Sequence, residues 1–169
     1  MSAAQRLSRF EIRPATPADG DDLGVLTEEV YRAGGWTSEA YAARLRDGRR
    51  RIEDAIVHVA TVDGAVVGSV TLAPPGTPYV NTAGPDEAEV RMLAVAPAAR
   101  GRGIGDALMA ACEGWARAEG LAGVVLSTEA SMHAAHRLYR RRGYRRAPER
   151  DWTYDGALYL VYRVDLGPA

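Results

Sequence analysis

The stretch Arg100 to Gly105, Arg-Gly-Arg-Gly-Ile-Gly, constrains this 169-residue chain more than any other. Ahead of it, Glu89 to Val95 is a short, largely apolar run that reads as a strand, closed by Pro97. Behind it, Ile104, Ala107, Leu108, Ala111, Cys112 and Trp115 recur at helical spacing and make one apolar stripe. Strand, tight turn and helix must therefore follow one another. Glycines at 101, 103 and 105 strip the turn of side chains that would screen its backbone N–H groups. The first amides of a helix have no internal partner, and the helix dipole makes that end positive. With Arg100 and Arg102 beside it, the turn suits a phosphate or pyrophosphate.

A plain connection with solvated arginines is the bland alternative. A dinucleotide fingerprint fails, because Asp106 stands where its last glycine belongs, and a P-loop fails for want of Gly-Lys-Ser/Thr. The formal net charge of −1 favours neither nucleic acid nor an anionic membrane as partner. The single cysteine, Cys112, excludes an internal disulfide and lies on the apolar stripe, the place of a buried inert thiol. No apolar run reaches membrane length and no signal pattern opens the chain, so a cytoplasmic protein is expected. The length suits one domain over residues 1–169, with 1–9 a loose tail.

Around the turn the chain reads β-α-α-β-β-β-α-β-α-β-β, an α/β layered domain with a mixed sheet of about seven strands and about four helices. Phe10 to Arg13 is the first strand. Thr16-Pro17-Ala18-Asp19 starts a helix, and Gly34-Gly35 ends it. Ser38 caps a second helix running to about Arg51. Trp36 between them is either a plug at the helix joint or part of a substrate wall. Asp63-Gly64 and Asp155-Gly156 are hairpin turns. The proline-rich segment Ala73–Pro85 is a loop before the central strand. Gly123 to Ser127 is the strand after the central helix, reached by a parallel crossover. Ser131 caps a further helix to Arg142, whose Arg137, Arg140, Arg141 and Arg142 read as a solvated face. His58, His133 and His136 lack a third ligand pattern, so no metal is expected.

The run Leu93 to Met109 resembles the signature of the GCN5-related N-acetyltransferases, Arg/Gln-x-x-Gly-x-Gly/Ala, matched by Arg100, Gly103 and Gly105. A second match lies in Ala135, Leu138, Tyr139, Gly143 and Tyr144, against Asn-x-x-Ala-x-x-Leu-Tyr-x-x-x-Gly-Phe; Met132 departs from the asparagine. The resemblance runs from Glu87 to Tyr144. It implies an enzyme moving the acetyl group of acetyl-CoA to a primary amine by direct attack. Leu93, Ala94 and Val95 would hold the pantetheine arm, and Arg100, Gly101, Arg102, Gly103, Ile104 and Gly105 the pyrophosphate, with Met132 at the edge. Tyr139 matches the acid for the leaving thiol. Glu89 matches a frequent base position, with Glu87 or a water relay as alternatives. The resemblance places the acceptor near Tyr31, Trp36, Tyr41, the Ala73–Pro85 loop and Asp151–Tyr154 with its Trp152, whose aromatics and few carboxylates suit a cationic amine of moderate size. Members of the family often pair as homodimers. Protein N-terminal or lysine acetylation, and a non-catalytic acyl-CoA-binding module, are the rival readings.

Overall fold

Eight strands form one mixed sheet in the computed structural model, which describes residues 9–168. The tail expected at 1–9 therefore lies, but for Arg9, outside the described residues. In chain order the elements are β1 (Glu11–Pro14), α1 (Gly20–Gly34), α2 (Glu39–Arg46), α3 (Gly48–Asp54), β2 (Ile56–Val62), β3 (Ala65–Ala73) and β4 (Glu87–Val95). Then follow α4 (Ile104–Ala118), β5 (Gly123–Glu129), α5 (His133–Arg141), β6 (Arg145–Arg146), β7 (Trp152–Tyr154) and β8 (Ala157–Asp165). The strands lie side by side as β1-β2-β3-β4-β5-β8, with β6 and β7 both on the other edge of β8. Only β4 and β5 run parallel, joined through α4 as the crossover rule requires.

Local chemistry explains most of these boundaries. Asp63 (φ 49°) and Gly64 (φ 82°) close the β2–β3 hairpin, and Asp155 (φ 48°) and Gly156 (φ 77°) close β7–β8. Two successive positive φ angles match the strand twist, and Asp-Gly supplies them at low cost. Before α1, the Asp19 carboxylate accepts from the Thr16 amide (2.7 Å) and from both terminal nitrogens of Arg13 (2.7 and 2.9 Å). Those bonds, Arg13 first, hold its carboxyl down at about 2.

The single helix expected from Ser38 to Arg51 is two. Asp47 leaves helical geometry (φ −78°, ψ 69°), and its side chain accepts from the Arg50 amide at 3.1 Å, so one residue ends α2 and caps α3. Tertiary packing requires the break. A Cβ on Gly48 would lie 2.1 Å from the Gly20 carbonyl oxygen, and one on Gly24 2.1 Å from that of Arg46. Glycine thus lets α1 touch the α2–α3 joint backbone to backbone. The two-residue β6 is the other element beyond the expected order.

On one face of the sheet α4 buries Ile104, Leu108, Met109 and Cys112 against Val70, Leu72, Ala88, Val90, Val124 and Leu126. Each such side chain contributes about 1.5–3 kcal/mol. On the other face α1 meets β3, where the buried Thr27 and Ser69 hydroxyls are 3.2 Å apart. Among the described residues no helix is long and apolar enough to cross a membrane.

Candidate active site

The sheet is forked at its centre. β4 and β5 pair from Glu87 with Gly123 to Val90 with Leu126 and no further, although β4 continues to Val95 and β5 to Glu129. A bulge in β4 accompanies the parting. Thr71 of β3 faces Arg91 and Ser69 faces Ala94, so two residues, Met92 and Leu93, oppose Val70 alone. Met92 takes φ 54° to do this, and its side chain is buried with Leu45, Ala73 and Tyr79. A bulge bends and twists its strand, here as the two strands part.

Strand alternation then decides which backbone groups face the fork. The Ala96 amide donates to the Val67 carbonyl at 2.8 Å, so positions 94 and 96 are spent on β3. Leu93 and Val95 point the opposite way, and Arg100 Nε reaches the Val95 carbonyl at 3.3 Å. Of the three residues expected to hold pantetheine, Ala94 is therefore turned to β3.

Gly101 (φ 74°) and Gly103 (φ 81°) both lie in the left-handed region, and nothing stands within 4 Å of where their side chains would be. The turn is open on that side, and Gly103 is followed directly by the first turn of α4. Gly105 has a different reason: a Cβ there would lie 3.3 Å from Leu138, so glycine brings α4 close to α5. Asp106 would oppose an anion at this helix start, but Arg142 Nη1 binds it at 2.8 Å. Arg142 also grips Glu113 (2.9 and 2.6 Å). The solvated arginine face expected on α5 is thus corrected for Arg142, which turns inward because α4 offers two carboxylates; Arg140 stays exposed while donating to the Tyr162 hydroxyl at 3.3 Å.

Tyr139 is 5% exposed, its ring centroid 6.0 Å from that of Tyr144 and 6.2 Å from that of Tyr162. No described residue hydrogen-bonds its hydroxyl, yet the oxygen is not among the fully enclosed polar atoms. The ring is buried and its tip is open. Burial pushes the phenol above its ordinary range, so it stays protonated. Met132 precedes α5, its sulfur 3.7 Å from the Thr128 hydroxyl. Cys112 is fully buried and its thiol is pushed up to about 12, mainly by desolvation, which leaves no thiolate.

The α1–α2 face of the fork carries the aromatic groups. Tyr31 meets Trp36 (6.3 Å) and Tyr41 (6.4 Å) edge-on. Trp36 also folds over Gly34, where a Cβ would lie 2.3 Å from its ring. Across the fork Trp152 stacks on Tyr159 at 4.3 Å and donates to Ser127 Oγ at 3.0 Å. Ser127 follows Leu126, the last β5 residue paired with β4.

The two expected bases are both occupied. Glu89, 1% exposed, accepts from the amides of Asn81 (2.6 Å), Thr82 (2.8 Å) and Ala83 (3.2 Å) and from the Thr82 hydroxyl (3.2 Å). It pins the loop before β4. Glu87 is bound by Arg150 (2.8 Å), Arg163 (2.6 Å) and the Gly84 amide (2.9 Å), which together outweigh desolvation and hold its carboxyl at about 2. Sequence reasoning passed over Arg91, Thr82 and Ser127 as site residues. Arg91 and Ser127 carried a signal, since each lies two residues beyond a paired partner, Glu89 or Val125, on the same face.

The acetyltransferase (GNAT) family model matches residues 23–144. The aminoalkylphosphonate N-acetyltransferase of Salmonella typhimurium is 33% identical over 141 residues, which cover 81% of this chain and 86% of that protein. A GNAT-family acetyltransferase of Staphylococcus aureus Mu50 superposes with a TM-score of 0.74 at 14% identity, over 94% of this chain and 100% of that one. A Salmonella typhimurium acetyltransferase solved with acetyl-CoA superposes at 0.71 and 19% identity, over 96% of each chain. The chain belongs to the GNAT family of acetyl-CoA-dependent N-acetyltransferases.

Proposed function

We propose that the chain acetylates the primary amine of a small molecule, with the thioester lying in the β4–β5 fork. The observation that carries this is the fork itself: Leu93 and Val95 direct amide groups into a gap that β5 has left, and such groups need partners. A pantetheine arm has two amides and can take the place of a strand. The open turn of Gly101, Gly103, Ile104 and Gly105, with Arg100 and Arg102 beside it, holds the pyrophosphate through helix-start amides. Acetyl-CoA supplies the activated acyl group.

On this reading Tyr139 gives its proton to the leaving thiolate from the α4–α5 side, while the amine arrives from the side of Tyr31, Trp36 and Trp152. Glu87 is held by two arginines and is set aside as base. Glu89 reaches the fork only through Thr82, whose hydroxyl is 3.5 Å from that of Ser127, so a hydroxyl or water relay carries the amine's proton. A small-molecule acceptor is favoured over a protein terminus because the 33%-identical relative is named for a small amine.

The test is coenzyme A affinity before and after Gly103→Trp, measured by calorimetry. A side chain at φ 81° strains the turn and covers its amides, so affinity falls at least about tenfold. Unchanged affinity would remove the pyrophosphate assignment.

A further inference from the structure

We propose that the acceptor is a primary amine that also bears an oxyanion, and that Arg91 is the specificity residue that binds it, with the buried charge of Arg51 behind. The inference rests on the reading just given, that the amine enters from the α1–α2 face.

Arg91 is the first β4 residue past the last β4–β5 pair. Its guanidinium donates to the Tyr79 carbonyl at 2.9 Å and lies 3.5 Å from the Tyr41 hydroxyl, beside the expected acceptor wall. Arg51, 0% exposed, sends Nη2 to the Leu45 carbonyl (2.7 Å) and the Thr27 hydroxyl (3.2 Å). Its Nε and Nη1 are enclosed with no partner. Leu45 packs with Tyr79 and Met92, and Tyr31 and Tyr41 lie against the same cluster. Among the described residues neither arginine pairs with a carboxylate.

Three carboxylates around the fork are already spent. Glu89 holds loop amides and Glu87 holds Arg150 and Arg163. Asp151 holds Arg146 (2.6 Å) and the Val161 amide (2.8 Å). Asp47 acts on Arg51 through space without pairing with it, and Arg91 stands beside the acceptor wall with no paired carboxylate, so a second ammonium on the substrate would be repelled. Capping the α2 carboxyl end explains one nitrogen of Arg51. It leaves the enclosed Nε and Nη1, and the whole of Arg91, without an anion. Arginine's planar fork matches phosphonate, phosphate or carboxylate oxygens two at a time, and the Tyr31 and Tyr41 hydroxyls add neutral donors.

The experiment measures coenzyme A release with 2-aminoethylphosphonate, β-alanine, 3-aminopropanol and 1,3-diaminopropane. The two acids are expected to exceed the neutral amine at least about 30-fold in kcat/KM, with the diamine last. Arg91→Met is expected to lower kcat/KM for the acids about 30-fold, through KM, while shifting the neutral amine less than about threefold. Methylphosphonate should compete with the acid acceptor, and its inhibition constant should weaken about tenfold in the variant. Whichever acid leads identifies the preferred oxyanion. Preference for the neutral amine or diamine, or an equal loss on all four in Arg91→Met, overturns the inference and leaves N-acetyl transfer intact. Release with no amine at all removes both.

Discussion

Glu87→Gln separates a structural carboxylate from a catalytic one. Glu87 is 6% exposed and joins β4 to Arg163 of β8 and to Arg150, ahead of β7. Its carboxyl sits at about 2 against an ordinary 4.5. At about 1.4 kcal/mol for each pH unit, the charged form contributes about 3 kcal/mol to folding. The folded value is depressed, so this contribution is full above about pH 4.5. It is lost as pH falls toward 2, where a protonated carboxyl resembles the amide of glutamine. Wild type and variant should therefore differ by about 3 kcal/mol in urea at pH 7, a Tm gap of about 6–12 °C for a chain of this size. The gap should close between pH 4.5 and 2. Below its Tm the variant should keep kcat within about threefold, since the amine's proton does not pass to Glu87. A stability gap that is absent at pH 7, or that persists unchanged to pH 2, would refute the ion-pair account. A kcat falling a hundredfold in the folded variant would restore Glu87 as base.

Two further outcomes are expected. Tyr139→Phe should lower kcat about 100-fold with coenzyme A affinity unchanged by calorimetry, and full turnover would end its assignment as the acid. Cys112 should resist a thiol reagent in native buffer and react at once in denaturant, since it is fully buried with its thiol at about 12; prompt native labelling would contradict the packing of α4.

Much of this molecule is legible in its residues where the cause is local. Asp63-Gly64, Asp155-Gly156, Gly35 and the glycine turn each state a backbone geometry that only a few residue types adopt, and the structure has them there. What was illegible depends on distant chain. Asp47-Gly48 is a local breaker inside a polar helical run, and what makes it decisive is distant: α1 backbone lies against Gly48. Met92 is an ordinary strand residue by type, and its positive φ is supported by burial with Leu45 and Tyr79. Glu89 reads as a base by position, but the amides that occupy it come from a loop whose path no periodicity describes. Arg51 reads as one of three successive arginines in a polar helix and lies wholly inside the protein.

The β-ladder between the β1–β4 wing and the β5–β8 wing is four residue pairs long, Glu87 to Val90, backed at the same end by the Glu87 ion pairs. Mechanically that is a clothes-peg: a short spring at one end and two free jaws at the other. A molecule clamped between the jaws supplies crosspieces the polypeptide omits, so occupancy and rigidity rise together. On the reading proposed above, the enzyme has left its own centre unfinished, and its substrate is the missing part.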